Sequence, residues 1–371
     1  MNKKQEQASG RMHRPMHEQI AGRMDEQIAG RMDEQIAERI DEPIDERIQQ
    51  ALADGRSLYL YAYASHETEA ELCAMELRAL FGGCTEWKTG SLLLSRRRID
   101  PDRSPFLTLR LDIAASGDSA EKIAELAGSR RWVESGETFK VTYIKAGDPF
   151  DYAEQRSFER LVGSRIQGKA DMKHPDVTLG LTALDGTWVL GVRHAPKRAW
   201  HAHIHKPQNY STGLSAAVAR ALVNIAAPET EGLRLLDPCC GMGNVLIEAL
   251  SMGLDIRGRD INPLAVRGAR TNLKHYGFSE TLVTLGDMND LEGHYDAAVL
   301  DMPYNLCSVL PEEEQRRMLT SLRRLAPRAV IVTTEEDVRV RVQEAGYRIA
   351  DECQVRKGSF VRQVWLCEAL Q

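Results

Sequence analysis

Asp237 follows the apolar run Leu233 to Leu236 and opens the turn Pro238-Cys239-Cys240-Gly241-Met242-Gly243, while Asp301 follows Ala297 to Leu300 and opens Met302-Pro303-Tyr304. Short apolar runs that break into turn residues read as buried strand ends, and the carboxyl ends of strands in an open α/β sheet are the edge where ligands bind. The first segment is expected to be a cofactor turn and the second a clamp for an amine. Together they point to methylation of an exocyclic amino group.

Two cofactor classes compete for a Gly-x-Gly after a strand. A dinucleotide site needs a third glycine three residues after the second, so that the pyrophosphate approaches the helix N-terminus, and here that position is Leu246. S-adenosylmethionine carries no phosphate and needs only a tight, bare backbone, which Gly241 and Gly243 supply. A carboxylate at Asp237 can hold the methionine ammonium. Asp260, ending the second strand in Gly258-Arg259-Asp260-Ile261-Asn262, is expected to take both ribose hydroxyls, and Gly286-Asp287-Met288 to meet the adenine amino group and ring. Cys239 and Ile261 complete the expected cofactor set. Each acid alone could equally be an ordinary loop residue; their common register with the turn is what singles them out.

A base amine is a poor nucleophile because its lone pair is delocalised into the ring. Asp301 and the Met302 carbonyl can accept its hydrogens and aim the nitrogen, Pro303 fixes the turn, and Tyr304 offers a stacking face. Methyl transfer then asks for orientation more than for a strong base. The catalytic candidates are therefore Asp301, Met302, Pro303 and Tyr304.

The pattern from residue 230 to 371 alternates strand and helix, implying a Rossmann-like, doubly wound α/β domain of seven strands. Only Val355 to Ser359 separates the last two strands, so the last should be antiparallel. Residues 57–195 alternate in a way that suggests α+β, ferredoxin-like modules, with a strand pair turning at Asp185-Gly186. Residues 196–229 read as a linker and helix. The first 56 residues carry an eight-residue repeat from His17 onward. Apolar residues at every fourth position drift about 40° per step around a helix, so the segment is expected to be a disordered tail.

A net charge of -6 and 43% hydrophobic residues are ordinary for a globular chain, so any nucleic-acid surface must be local. No apolar stretch nears the roughly 18 residues of a membrane span, and the N-terminus is too polar for a secretory core, so a cytoplasmic protein is expected. Seven cysteines without a Cys-x-x-Cys pair suggest neither a disulfide scaffold nor a metal site.

The set Asp237 to Gly243, Asp260 and Asp301 to Tyr304 resembles that of THUMP-domain RNA methyltransferases, tRNA guanosine-N2 methyltransferases especially. Phe158 to Ile166 followed by Lys169 to Val177 is similar to the helix and Asp-Leu-x-x-Pro-Asp segment of a THUMP module. Lys206-Pro207 with Ser215 to Asn224 resembles the stretch joining THUMP and catalytic domains. Met302 stands where the family clamp carries its first proline. The resemblance covers Ser57 to Gln371 and implies an RNA partner, tRNA above all, which would meet Arg96 to Arg98, Lys197-Arg198 with His201, His203 and His205, Arg323-Arg324, or Arg356-Lys357 with Arg362. Adenine N6, an rRNA guanine, a protein glutamine and a non-catalytic RNA-binding role stay open.

Overall fold

The computed structural model describes residues 44–146, 149–210, 213–303, 310–357 and 360–370. Its first element corrects an expectation. The tail expected to stay unfolded as far as residue 56 is helical over α1, Ile44–Ala53, with Ile48 wholly buried and Ile44 and Ala51 nearly so. The repeat runs only to Ile48, and one buried turn needs its apolar residues at i, i+4 and i+7, which Ile44, Ile48 and Ala51 provide. The earlier repeats lie outside the described residues.

Next come β1 (Tyr59–Tyr63), α2 (Ala70–Phe81), β2 (Thr85–Thr89), β3 (Leu92–Ser95), β4 (Leu107–Gly117), α3 (Ala120–Gly128), β5 (Thr138–Tyr143), α4 (Tyr152–Gly163), β6 (Lys169–Ala170), β7 (Val177–Leu184) and β8 (Thr187–His194). In place of separate modules, the strands form one eight-stranded mixed sheet ordered β2-β3-β1-β4-β8-β7-β5-β6. The eleven-residue β4 joins its halves, pairing β1 on one side and β8 on the other. The β7–β8 pair turns at Asp185-Gly186 as the sequence implied, with φ of 47° and 87°. The β2–β3 hairpin was not foreseen, because strands of five and four residues are too short to establish an alternation. One face of the sheet buries α1 against Leu58, Leu60, Leu109 and Leu111.

The stretch 196–229 holds α5, Ala216–Ala226, in which every residue but Ala217 is buried. It is no tether. One side meets Leu72, Met75, Leu80 and Phe81 from the N-terminal sheet's helix, and the other meets Leu246, Val299 and Val330 of the second sheet, in one continuous core. Buried polar groups fix this seam: Asn224 Nδ2 donates to Glu76 Oε1 at 2.6 Å, and Ser104 Oγ to Glu76 Oε2 at 2.5 Å. Arg220 reaches Glu248 Oε2 at 2.7 Å and the Asp102 and Arg103 carbonyls. Burial pushes the Glu76 carboxyl up to about 7, against those hydrogen bonds and the neighbouring arginines.

The second sheet carries β9 (Arg234–Asp237), α6 (Asn244–Ser251), β10 (Asp255–Asp260), α7 (Pro263–His275), β11 (Val283–Leu285), β12 (Ala297–Asp301), α8 (Glu312–Leu325), β13 (Arg328–Thr333), α9 (Val338–Glu344), β14 (Tyr347–Lys357) and β15 (Phe360–Ala369). Its order is β11-β10-β9-β12-β13-β15-β14, with β15 antiparallel to both neighbours. This is the seven-stranded, doubly wound sheet that the strand–helix alternation implied, and its order reverses between β9 and β12. A crevice opens at such a reversal.

Candidate active site

The crevice is a cavity of about 760 Å³ at the carboxyl ends of β9, β10 and β12. Its wall includes Asp237, Cys239, Gly241, Asp260, Ile261, Asp287, Met288, Asp301, Met302 and Pro303, so nearly all the residues singled out in the sequence converge. Tyr304 lies outside the described residues. Gly243 lies behind the wall.

Local hydrogen bonds account for the shape of the turn. Cys240 N–H donates to the Arg259 carbonyl at 2.9 Å, tying the turn to β10, and Gly243 N–H closes on the Cys240 carbonyl at 2.7 Å. Gly241 and Gly243 both adopt positive φ, 51° and 80°. Beyond that their constraints differ. No heavy atom lies within 4 Å of where a Cβ on Gly241 would stand, so it leaves room in the cavity, whereas one on Gly243 would meet Ala269 of α7 at 3.4 Å. Leu246, in the third-glycine position, is wholly buried and fills the space over Gly258, where a Cβ would come within 2.8 Å of it. The close helix–strand approach is thus kept with the glycine on the strand.

Asp260 is held rigidly, its Oδ2 accepting from Gly241 N–H and its Oδ1 from Asn262 N–H, both at 2.8 Å. Each carboxylate oxygen retains a further acceptor site, which suits a pair of adjacent hydroxyls. Asp287 Oδ1 caps its own turn at Asn289 N–H, and Arg259 Nε pins the Asp287 carbonyl at 2.8 Å. Cys239 Sγ lies 3.8 Å from Met288 Sδ, giving that side of the cavity a soft apolar wall.

Asp301 ends β12, and the Met302 N–H continues the ladder to the Val332 carbonyl at 2.9 Å. The Met302 side chain is buried in the core with Met288 and Met318. Asp301 Oδ1 is buried and has no hydrogen-bond partner among the described residues. Burial raises its pKa to about 7, with the Arg362 charge acting the other way. Burial also pushes the Asp237 carboxyl well up, helped by the negative charges of Asp301 and Asp260. Asp237, Asp260, Asp287, Asp301 and Glu314 all line the cavity, and no Lys, Arg or His does among the described residues. Such a wall repels a pyrophosphate and favours a cationic ligand.

Sequence reasoning missed Tyr210, Leu214, Asn244 and Glu314 in this wall. Asn244 Nδ2 donates to the Leu214 carbonyl at 2.9 Å, fixing the segment before α5 over the cofactor turn. An Asn opening a helix directly after the turn was the available signal.

Comparison with known proteins agrees with this geometry. A family model described as an RMKL-like methyltransferase domain matches residues 204–360. The tRNA (guanine(10)-N2)-dimethyltransferase of Methanothermobacter thermautotrophicus is 32% identical over 242 residues, which are 59% of this chain and 70% of that protein. The chain belongs to this methyltransferase family. The tRNA (guanine(6)-N2)-methyltransferase of Archaeoglobus fulgidus is also similar, 26% identical over 56% of this chain and 61% of its own length. The crystal structure of TrmN from Thermus thermophilus matches 84% of this chain and all of its own at 20% identity, with a TM-score of 0.44. The chain is an S-adenosylmethionine-dependent methyltransferase, and the acidic cavity suits the cofactor's ammonium and sulfonium charges.

Several of the basic residues expected to meet RNA have internal duties. Arg97 is bonded to Glu229 and the Pro228 carbonyl, Arg323 to the Gly346 and Leu370 carbonyls, Arg324 to the Asn289 carbonyl, and His203 to Glu248. No helix among the described residues is long and apolar enough to cross a membrane, and no group of three acidic, His or Cys side chains there is placed to hold a metal.

Proposed function

We propose that this protein methylates the exocyclic N2 amine of a guanosine in tRNA. The observation that carries the reading is Asp301: a buried carboxyl oxygen with no hydrogen-bond partner among the described residues, at the end of β12, in the wall of a cavity otherwise suited to S-adenosylmethionine. The relatives' names supply the tRNA guanine N2 target.

The cofactor, when bound, supplies an electrophilic methyl on a sulfur ready to leave. Asp237 would hold the methionine ammonium, Asp260 the ribose hydroxyls, and Asp287 with Met288 and Ile261 the adenine. Gly241 and Cys239 would give the turn its room and its apolar flank. Asp301 and the Met302 carbonyl would accept the two amine hydrogens, so that the nitrogen lone pair points at the methyl carbon. The amine would have to lose a proton once methylated, and Asp301 would be the adjacent acceptor for it. Pro303 and Tyr304 would place and stack the base. The sheet of residues 57–195 would serve as a ferredoxin-like and THUMP-like RNA-binding region.

Mass spectrometry of nucleosides tests the reading, using tRNA and rRNA from a strain lacking this gene, before and after incubation with the protein and S-adenosylmethionine. N2-methylguanosine gained in tRNA is expected. A gain only of N6-methyladenosine, or of N2-methylguanosine in rRNA alone, would reassign the target.

A further inference from the structure

The acidic cavity poses a problem for a nucleotide substrate, because its wall repels the phosphodiester that must accompany the target base. A second cavity of about 350 Å³ lies beside it, sharing Gly213 and Leu214. Both units build it: His66 and Glu69 from the turn before α2, Ser215 and Val218 at the start of α5, and Val355, Arg356 and Arg362 from the β14–β15 hairpin.

Its charge is the reverse of its neighbour's. Arg362 is 4% exposed, with its guanidinium 4.7 Å over the Phe360 ring. Arg356 lies at the exposed mouth. The Thr68 backbone N–H can only donate, and it donates to His66 Nδ1 at 3.3 Å, so the neutral ring carries its proton on Nε2 and remains a donor there. Glu69 is the one acid of the wall, and burial raises its pKa.

We infer that this second cavity takes the backbone phosphate flanking the target nucleotide, with Arg362 and Arg356 as its cationic ligands and His66 as a donor through Nε2. The inference rests on an RNA substrate. It makes the N-terminal sheet a direct participant in seating the target, one cavity away from the transferred methyl.

The test uses a tRNA transcript that the wild-type protein methylates, with Kd measured against potassium chloride concentration. Arg356→Ala should flatten the slope of log Kd against log salt by roughly 0.7 to 0.9, the loss of one phosphate contact. It should leave S-adenosylmethionine affinity at the wild-type value. His66→Ala should weaken tRNA several-fold with little change in slope, and Arg257→Ala, an exposed cation elsewhere, should behave as wild type. A methylphosphonate flanking the modified guanosine should weaken the wild-type protein and cost Arg356→Ala less, since Arg362 and His66 still face the phosphate. An unchanged slope together with full sensitivity of Arg356→Ala to methylphosphonate overturns the inference while leaving the methylation reading intact. A wild-type protein that methylates no RNA fails at the earlier reading and takes this one with it.

Discussion

Asp301 occupies a position in which stability and chemistry oppose each other. Its pKa is about 7 when folded against the usual 3.8, so the folded state binds the extra proton and stability falls as pH rises from about 4 to about 7. Above that window the full penalty, on the order of 4 kcal/mol, is present. Asp301→Asn should therefore raise the melting temperature of the cofactor-free protein at pH 8 and change it little at pH 4, as calorimetry at the two pH values would show. The same group should give the single-turnover rate an acidic limb near pH 7, and Asp301→Ala should cut that rate roughly 100-fold or more while leaving S-adenosylmethionine affinity intact. Wild-type turnover in that variant would remove the clamp. Asp260→Ala should instead weaken the cofactor by about 1.5–3 kcal/mol, the loss of charge-assisted hydrogen bonds, measurable by calorimetry, while NAD fails to bind wild type. Asp237 and Asp301 were legible because each directly follows an apolar run, and Asp260 because it stands about 20 residues beyond the glycine turn. Tyr210 and Glu314 were not, since the segment before α5 and the start of α8 are brought to the cavity only by tertiary packing.

The alternation of strand and helix in the second sheet was readable from the sequence. Fully buried parallel strands such as Ala297–Asp301 and Arg328–Thr333 are continuous apolar runs, and Gly253, Gly277 and Gly346 close three of the helices. Helix α1 was obscured because it ends a repeat whose four-residue apolar spacing drifts around a helix. Removing residues 1–43 should leave the melting temperature within a degree or two. Ile48→Ala, by contrast, should cost about 2–5 kcal/mol, since it empties a wholly buried site against Leu60 and Leu111. Chemical denaturation of the two proteins decides the point, and a destabilised 1–43 deletion would show that the repeats pack on the body. Arg97 was beyond reach for a related reason: sequence shows charge, but whether a side chain faces solvent or straps Glu229 is settled by the fold.

At the scale of the molecule, the two sheets should melt as one. Arg220 ties the Asp102–Arg103 carbonyls of the first unit to Glu248 of the second, while Arg78 pairs with Asp351 at 2.8 and 2.9 Å across the same seam. Arg220→Ala would leave Glu248 buried with a partner removed, a loss of about 3–5 kcal/mol, and should split a single calorimetric transition into two. A single transition at the wild-type temperature would mean that the units are joined without Arg220. The sequence could not show this seam, because residues 196–229 read as a linker and helix until both sides of α5 are seen to be covered. That double covering also sets an order of events at the ribosome. The N-terminal sheet leaves the exit tunnel with the face around Leu72, Met75 and Leu80 uncovered, and α5 cannot settle on it finally until the strands that cover its other side have been made. At roughly 5–20 residues per second, that apolar face waits on the order of ten seconds for the rest of the chain. During that wait the nascent protein is a natural client for a chaperone.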